Sequence, residues 1–209
     1  MQSQSFLLPC ISHFWASNLK DIDPKDEADI ISRYGEPAKA QFIADFQQFE
    51  CDLVKQSTSK GRYHDITCFI RSGEKYVAIQ KHAYADTGIY RAPSGGANMG
   101  EPIEEAAKRE MYEETGLEIR LIRYILDSRL DVVCADGTIP WRSLVFLAEI
   151  EDGEMNAVDT HEIYDVKTVT RDEMLGPICK LMEDSGWGGF LYRAHLTRRF
   201  FEQLDALGT

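Results

Sequence analysis

Three glutamates crowd the stretch REMYEETGL at 109–117. Glu110, Glu113 and Glu114 stand three and four residues apart, so on a helix they share a face and repel by about 0.2–0.5 kcal/mol per pair. Such a cluster is either a solvated acidic face or a place where hard divalent cations, which prefer oxygen ligands, are gathered. A cation held there would remove the repulsion, polarise phosphoryl oxygens and make hydroxide available near neutral pH. Just upstream lies the turn-rich PSGGANMG, 93–100, whose glycines allow backbone to approach a metal closely.

The elements that must position these groups can be read around them. Pro102 suits the first turn of a helix, on which Ile103, Ala107 and Met111 face a core while the glutamates face elsewhere, and Gly116 ends it. Ahead of it, HDITCFIR (64–71) and KYVAIQKHA (75–83) predict a hairpin across Ser72-Gly73-Glu74. Behind it, LEIRLIRYIL (117–126), LDVVCA (130–135), WRSLVFLAEI (141–150) and IYDVKTVT (163–170) read as strands, followed by helices near 171–184 and 189–206. Helices flanking a mixed sheet make an α/β or α+β sandwich. Residues 1–60 read as an N-terminal helical extension packed on a core spanning 61–209. It holds a short helix near 24–33 and a longer one from about 37 to 54, on which Phe42, Phe46, Phe49 and Leu53 form a buried stripe.

Gly95, Glu101, Arg109, Glu110, Glu113, Glu114 and Gly116 fall at the spacing GX5EX7REUXEEXGU, with Met111 and Leu117 as the bulky aliphatic positions. At average residue usage, seven fixed positions agree by chance about once in 10⁸ starts. Residues 95–117 therefore resemble the Nudix box of the Nudix hydrolases. The resemblance implies an α/β/α sandwich over roughly residues 62–185, with Glu110, Glu113 and Glu114 as metal-binding carboxylates for Mg²⁺ or Mn²⁺. It makes the carbonyl of Ser94 or Gly95 a further ligand, and Arg109 with Glu101 an ion pair that fixes the loop against the helix. One departure is visible: the family usually has Pro-Gly-Gly where this chain has Pro93-Ser94-Gly95-Gly96, and a carbonyl ligand survives that change.

The general base varies within the family. Glu110 and Glu113 of the box are candidates, and the downstream segment VDTHEIYDV offers Glu162, with Glu154 and Asp159 near it; His161 reads as a polar neighbour. For substrate phosphates, Arg62, Lys81, Arg91 and Arg142 are candidate partners, since arginine forks onto phosphate. Trp141 offers a face for a base.

The net charge of −12 on 209 residues disfavours nucleic acid or an anionic membrane as a partner. With 44% apolar and 28% charged residues the chain reads as globular. Five scattered cysteines, without a CxxC pair, suggest free buried thiols in a reducing compartment. No signal-peptide pattern or membrane-spanning run is read, so the expected location is cytoplasmic. The resulting expectation is an enzyme that hydrolyses the diphosphate linkage of a nucleoside diphosphate joined to another moiety; a nucleotide-binding sensor without hydrolysis is the alternative. An isopentenyl diphosphate isomerase relative lacks a catalytic cysteine motif ahead of the box. Segments of the SQPWPFP and LLTXR type, associated with NADH or coenzyme A preference, are absent. ADP-ribose-like compounds, nucleoside triphosphates and sugar nucleotides stay open, as does a homodimer.

Overall fold

In the computed structural model, which describes residues 22–208, one mixed sheet carries the chain. Its strands are β1 (Ala38–Asp45), β2 (His64–Ser72), β3 (Lys75–Lys81), β4 (Ser94–Gly95), β5 (Leu117–Cys134), β6 (Gly137–Gly153) and β7 (Ile163–Thr170). They run in the order β1-β5-β6-β2-β3-β7, with β4 paired to β2. β1 lies parallel to β5 and β2 parallel to β6; the other pairs are antiparallel. The expected break between two strands at 126–130 is absent: β5 is continuous, with register shifts against β6 between Glu118 and Leu126.

Helices cover both faces. On one side, α1 (Pro24–Tyr34) and α3 (Ile103–Thr115) bury Ile30, Ile103, Ala107 and Met111 against Ile66, Leu144 and Phe146. On the other, α6 (Gly188–Leu207) brings Phe200 and Phe201 onto Phe69, with the Phe69 and Phe200 rings stacked 3.8 Å apart. This is the expected α/β/α sandwich. The expected helix at 171–184 is a single α-turn, α4 (Arg171–Glu173), then a π-turn at 174–178 that contains Pro177, then α5 (Cys179–Asp184).

Two further expectations are corrected. Residues 37–54 do not form one helix. The stretch Ala38–Asp45 extends the sheet as β1, and a separate helix, α2, spans Gln48–Thr58. The same residues carry a period of two, with Ala38, Ala40 and Phe42 packed inward between more exposed neighbours, and pairing with β5 selects it. Phe49 and Leu53 are consequently exposed rather than core. α2 instead buries Glu50, whose carboxylate oxygens accept from the backbone N–H groups of Gly188 (3.1 Å) and Gly189 (2.8 Å), holding the start of α6.

The second correction concerns the cysteines. Cys51 and Cys134 form a disulfide joining α2 to the end of β5, across 83 residues of sequence. The parallel register that sets Asp45 beside Val133 delivers Cys51 to Cys134 a few residues later. Cys68 and Cys179 are free and buried, and burial pushes both thiols up, Cys179 to about 11. Cys10 and the N-terminal lead lie outside the described residues.

Candidate active site

The hairpin of β2 and β3 is joined only near its turn, at Arg71–Tyr76 and Ser72–Lys75. Away from the turn the strands part, and residues 91–95 lie between them: Arg91 exchanges backbone hydrogen bonds with Ile79, and Ser94 and Gly95 pair with Thr67 and Ile66. This wedge places the glycine loop over the C-terminal half of α3. A cleft of about 470 Å³ opens there.

Glu110, Glu113 and Glu114 all line it, with Ser94 and Gly95. Glu114 is 3% exposed and its Oε2 accepts from the Ser94 backbone N–H at 2.7 Å. Glu110 lies so close to the loop that a Cβ on Gly95 would meet its carboxylate. Burial raises the Glu110 carboxyl above its usual range, with Arg109 opposing the shift and Glu114 and Glu113 adding to it. Protein cations presently balance the cluster. Arg109 Nη1 donates to Glu110 (2.8 Å) and Glu113 (3.2 Å), and Lys81 Nζ reaches Glu114 Oε1 at 2.9 Å and also pairs with Glu162. Among the described residues no three such side chains already stand in a ready coordination shell. The donor set nonetheless suits a hard divalent ion: clustered carboxylate oxygens beside a loop whose Gly95 cradle only a missing Cβ leaves open.

Arg109 and Glu101 form a two-pronged pair, Nε to Oε1 and Nη2 to Oε2, both 2.8 Å. Arg109 Nη2 also donates to the Gly96 carbonyl at 3.1 Å, and the Glu101 carboxylate accepts from Asn98 N–H, so one ion pair pins the loop to α3. Hydrogen bonding to Arg109 holds the Glu101 carboxyl below its usual range.

Glu162 lines the cleft from the loop between β6 and β7. That loop is tied to the end of α3, because the N–H groups of Val158 and Asp159 donate to the Glu113 carbonyl and that of Asn156 to the Thr115 carbonyl. Asp159 Oδ1 accepts from the N–H groups of His161 and Glu162, so Asp159 shapes the loop.

Of the candidate phosphate and base partners, Arg62, Lys81, Arg91 and Trp141 line the cleft. Arg91 is buried, donating to Tyr84 Oη (3.1 Å) and Ser94 Oγ (2.8 Å). Arg142 does not line it. Neighbouring residues of a strand point to opposite faces, so with Trp141 on the cleft side Arg142 faces the α1 layer, donating to both oxygens of Asp127 and pairing with Glu27. Two further charged lining residues were not foreseen, Asp65 on β2 and Arg193 on α6. Neither belongs to a recognisable motif, and only the tertiary fold brings Arg193 to Asp65.

The family model of the NUDIX domain matches residues 62–185, more than half of the chain. The chain therefore belongs to the Nudix hydrolase family. Among curated relatives it is similar to two proteins called NAD-capped RNA hydrolase NudC. One is from Haemophilus influenzae Rd (32% identity over 180 residues, 76% of this chain and 63% of the relative) and one from strain PittGG (30% over 142 residues, 62% and 49%). The chain thus spans about half the length of such relatives. Among solved structures, a MutT NUDIX hydrolase from Burkholderia pseudomallei is 26% identical, covering 53% of this chain and 84% of that one, with a TM-score of 0.43. A NUDIX hydrolase from Nitrosomonas europaea is 21% identical, covering 59% and 88%, with a TM-score of 0.45.

Proposed function

We propose that the chain is a metal-dependent pyrophosphohydrolase that cleaves the diphosphate linkage of a nucleoside diphosphate joined to another moiety. The observation that carries this reading is the convergence of Glu110, Glu113 and Glu114 with Arg62, Lys81 and Glu162 on one cleft, around a loop that only glycine fits. A polyanion with bound divalent cations is the ligand that satisfies both sets of charge.

Glu110, Glu113 and Glu114, with the Ser94 or Gly95 carbonyl, would hold Mg²⁺ or Mn²⁺. Bound there, such ions supply Lewis acidity at the phosphoryl oxygens and lower the pKa of water. In the hydrolysis a water oxygen bonds to one phosphorus while the bridging P–O bond breaks. The water proton passes to a carboxylate, and the two products leave each with a phosphate. The base must meet water. Glu113 and Glu162 keep about half their side-chain surface exposed, whereas Glu114 is shut in against Ser94, so the first two are the base candidates, Glu113 being a ligand as well, while Glu110 and Glu114 serve as ligands. Lys81, between Glu114 and Glu162, is placed to exchange its carboxylate partners for a phosphate.

The relatives' name points to an NAD-type diphosphate, which is one compound of the proposed class; ADP-ribose-like compounds, nucleoside triphosphates and sugar nucleotides are the others. Turnover of purified protein on that panel, with Mg²⁺, Mn²⁺ or chelator and beside Glu113→Gln and Glu162→Gln, tests the reading. Metal-dependent cleavage of one class, lowered by orders of magnitude in one of the variants, supports it. Absence of turnover with a nucleotide that still raises the melting temperature overturns it in favour of a binding protein.

A further inference from the structure

α1 lies wholly before the family-matched residues 62–185, yet it meets the glutamate-bearing helix α3 at its start. A helix leaves its first N–H groups without partners inside it, and a side-chain oxygen of the N-cap residue usually accepts from one of them. The N-cap of α3 is Pro102, which has no such oxygen. Asp26 of α1 supplies the acceptor from 77 residues upstream: its Oδ2 takes the Ile103 N–H at 2.7 Å. Asp26 also stands in the first turn of α1, so one carboxylate lies at the positive ends of two helices, where negative charge is favourable. Further along, Arg33 Nη2 pairs with Glu104 Oε2 at 2.6 Å while Lys108 holds Oε1 at 2.9 Å. Ile30, fully buried, joins the same core cluster as Ile103, Ala107 and Met111.

The glycine loop depends on that start. Glu101, whose carboxylate holds both Arg109 and the Asn98 N–H, stands two residues before Ile103. A cavity of about 810 Å³ separates Ile22 and Asp23 from Met99 and Gly100. Open space therefore backs the outer part of the loop: Met99 is 95% exposed, and a Cβ on Gly100 would meet nothing. The loop is placed instead by its ends, at β4 and at the start of α3, and by the Arg109 pin between them.

We propose that Asp26 is a positioning residue for the carboxylate site: by capping α3 it fixes Glu101 and the glycine loop against Glu110, Glu113 and Glu114. The inference deepens the hydrolase reading, on which the metal-binding role of the three glutamates rests. It gives the segment ahead of the family domain a task in that site rather than a place beside it.

Exchange of the Ile103 amide proton, followed by ¹⁵N NMR of the full chain, reads the cap directly. A lost cap shifts a local equilibrium by roughly two- to thirtyfold, so in Asp26→Ala this proton exchanges about tenfold faster. Calorimetric titration with Mn²⁺ alone gives an affinity weakened about three- to tenfold, within the same range. On a cleaved substrate kcat falls about tenfold, the effect of carboxylates held less firmly. KM stays within about twofold, because Arg62, Lys81 and Trp141 do not stand on α3. Asp26→Asn keeps an acceptor oxygen at that place and gives smaller losses in exchange protection, Mn²⁺ affinity and kcat. It also carries the test should Asp26→Ala fail to fold, and no loss in any of the three then overturns the proposal. A purely structural cap would leave the Mn²⁺ affinity and kcat of the folded protein unchanged. Faster exchange with both unchanged therefore overturns the proposal, as does an unchanged exchange rate. Failure of the hydrolase reading is seen in the wild type, as absence of both Mn²⁺ binding and turnover, and would take this proposal with it; failure of the proposal alone is seen in the variants.

Discussion

A Cβ built on Gly95 falls 1.8 Å from Glu110 Oε2 and 2.0 Å from its carboxyl carbon. Loop backbone and carboxylate can share that space only because residue 95 has no side chain. In Gly95→Ala the flexible end of Glu110 gives way rather than the backbone, so the fold survives and the carboxylate is displaced by an ångström or more. Displacements of that size cost on the order of 10²-fold in rate. The expected outcome is a melting temperature within a few degrees of wild type with turnover down by about that factor. Wild-type turnover in Gly95→Ala would sink the assignment of this loop to the site.

Arg109 holds Glu101 by two parallel hydrogen bonds and reaches the Gly96 carbonyl with the same guanidinium. Lysine has no planar fork, so Arg109→Lys keeps the charge and loses the geometry. Turnover is expected to fall roughly 10–100-fold, as for other groups that orient metal ligands, with the larger effect on kcat. Retention of full kcat would show that the loop needs no such pin.

The same pair gives a pH dependence whose sign follows from linkage. The Glu101 carboxyl is held below its usual range in the folded chain, so the unfolded chain binds its proton first as pH falls. The stabilisation is present above the ordinary carboxylate range and is lost as pH drops through the lowered value. Glu101→Gln removes this contribution. Its melting temperature should therefore lie below that of wild type at pH 7 and converge with it toward pH 3. A constant gap across that range would count against the linkage.

Much of this site is legible in the sequence because the box is local. Residues 95–117 form one loop and one helix, and their spacing alone decides which side chains share a face. The rest depends on strand parity and on distant pairing. Trp141 and Arg142 are adjacent in sequence, yet only one can face the cleft, and no local signal says which. The stripe from Phe42 to Leu53 fitted a helix until β1 found β5, an outcome set by residues some ninety positions away. Arg193 enters the cleft because Glu50 anchors the start of α6, a contact that spans 139 residues.

The disulfide is testable directly. Intact mass of the unreduced chain should lie about 2 Da below that of the fully reduced chain, and the bridge should map to Cys51 and Cys134. Closing so long a loop restricts the unfolded chain, and such bridges contribute roughly 2–4 kcal/mol. Reduction, or Cys51→Ser with Cys134→Ser, is expected to lower the melting temperature. Because α2 also carries Leu53 and Val54 into the cleft, reduction should raise KM more than it lowers kcat. An unreduced mass equal to the reduced one would remove the bridge and this prediction together.

Arg142 separates structural from substrate-binding arginines. It is 6% exposed, forks onto Asp127, which is 3% exposed, and joins Glu27 of α1 to the sheet. Arg142→Met leaves Asp127 buried without its counter-charge, and breaking such a pair costs about 3–5 kcal/mol. For a chain of this size that lowers the melting temperature by roughly 6–20 °C. The surviving folded protein should keep the wild-type KM, since position 142 faces away from the cleft. Arg62→Met should do the reverse, raising KM severalfold with little thermal effect, because Arg62 lines the cleft and, among the described residues, its side chain donates to Ser57 Oγ at 3.2 Å. Asp127→Asn combined with Arg142→Met should recover part of the stability that Arg142→Met alone loses, since no uncompensated charge then remains buried. If instead Arg142→Met melts like wild type and raises KM, the ion pair contributes nothing and the arginine turns toward the ligand.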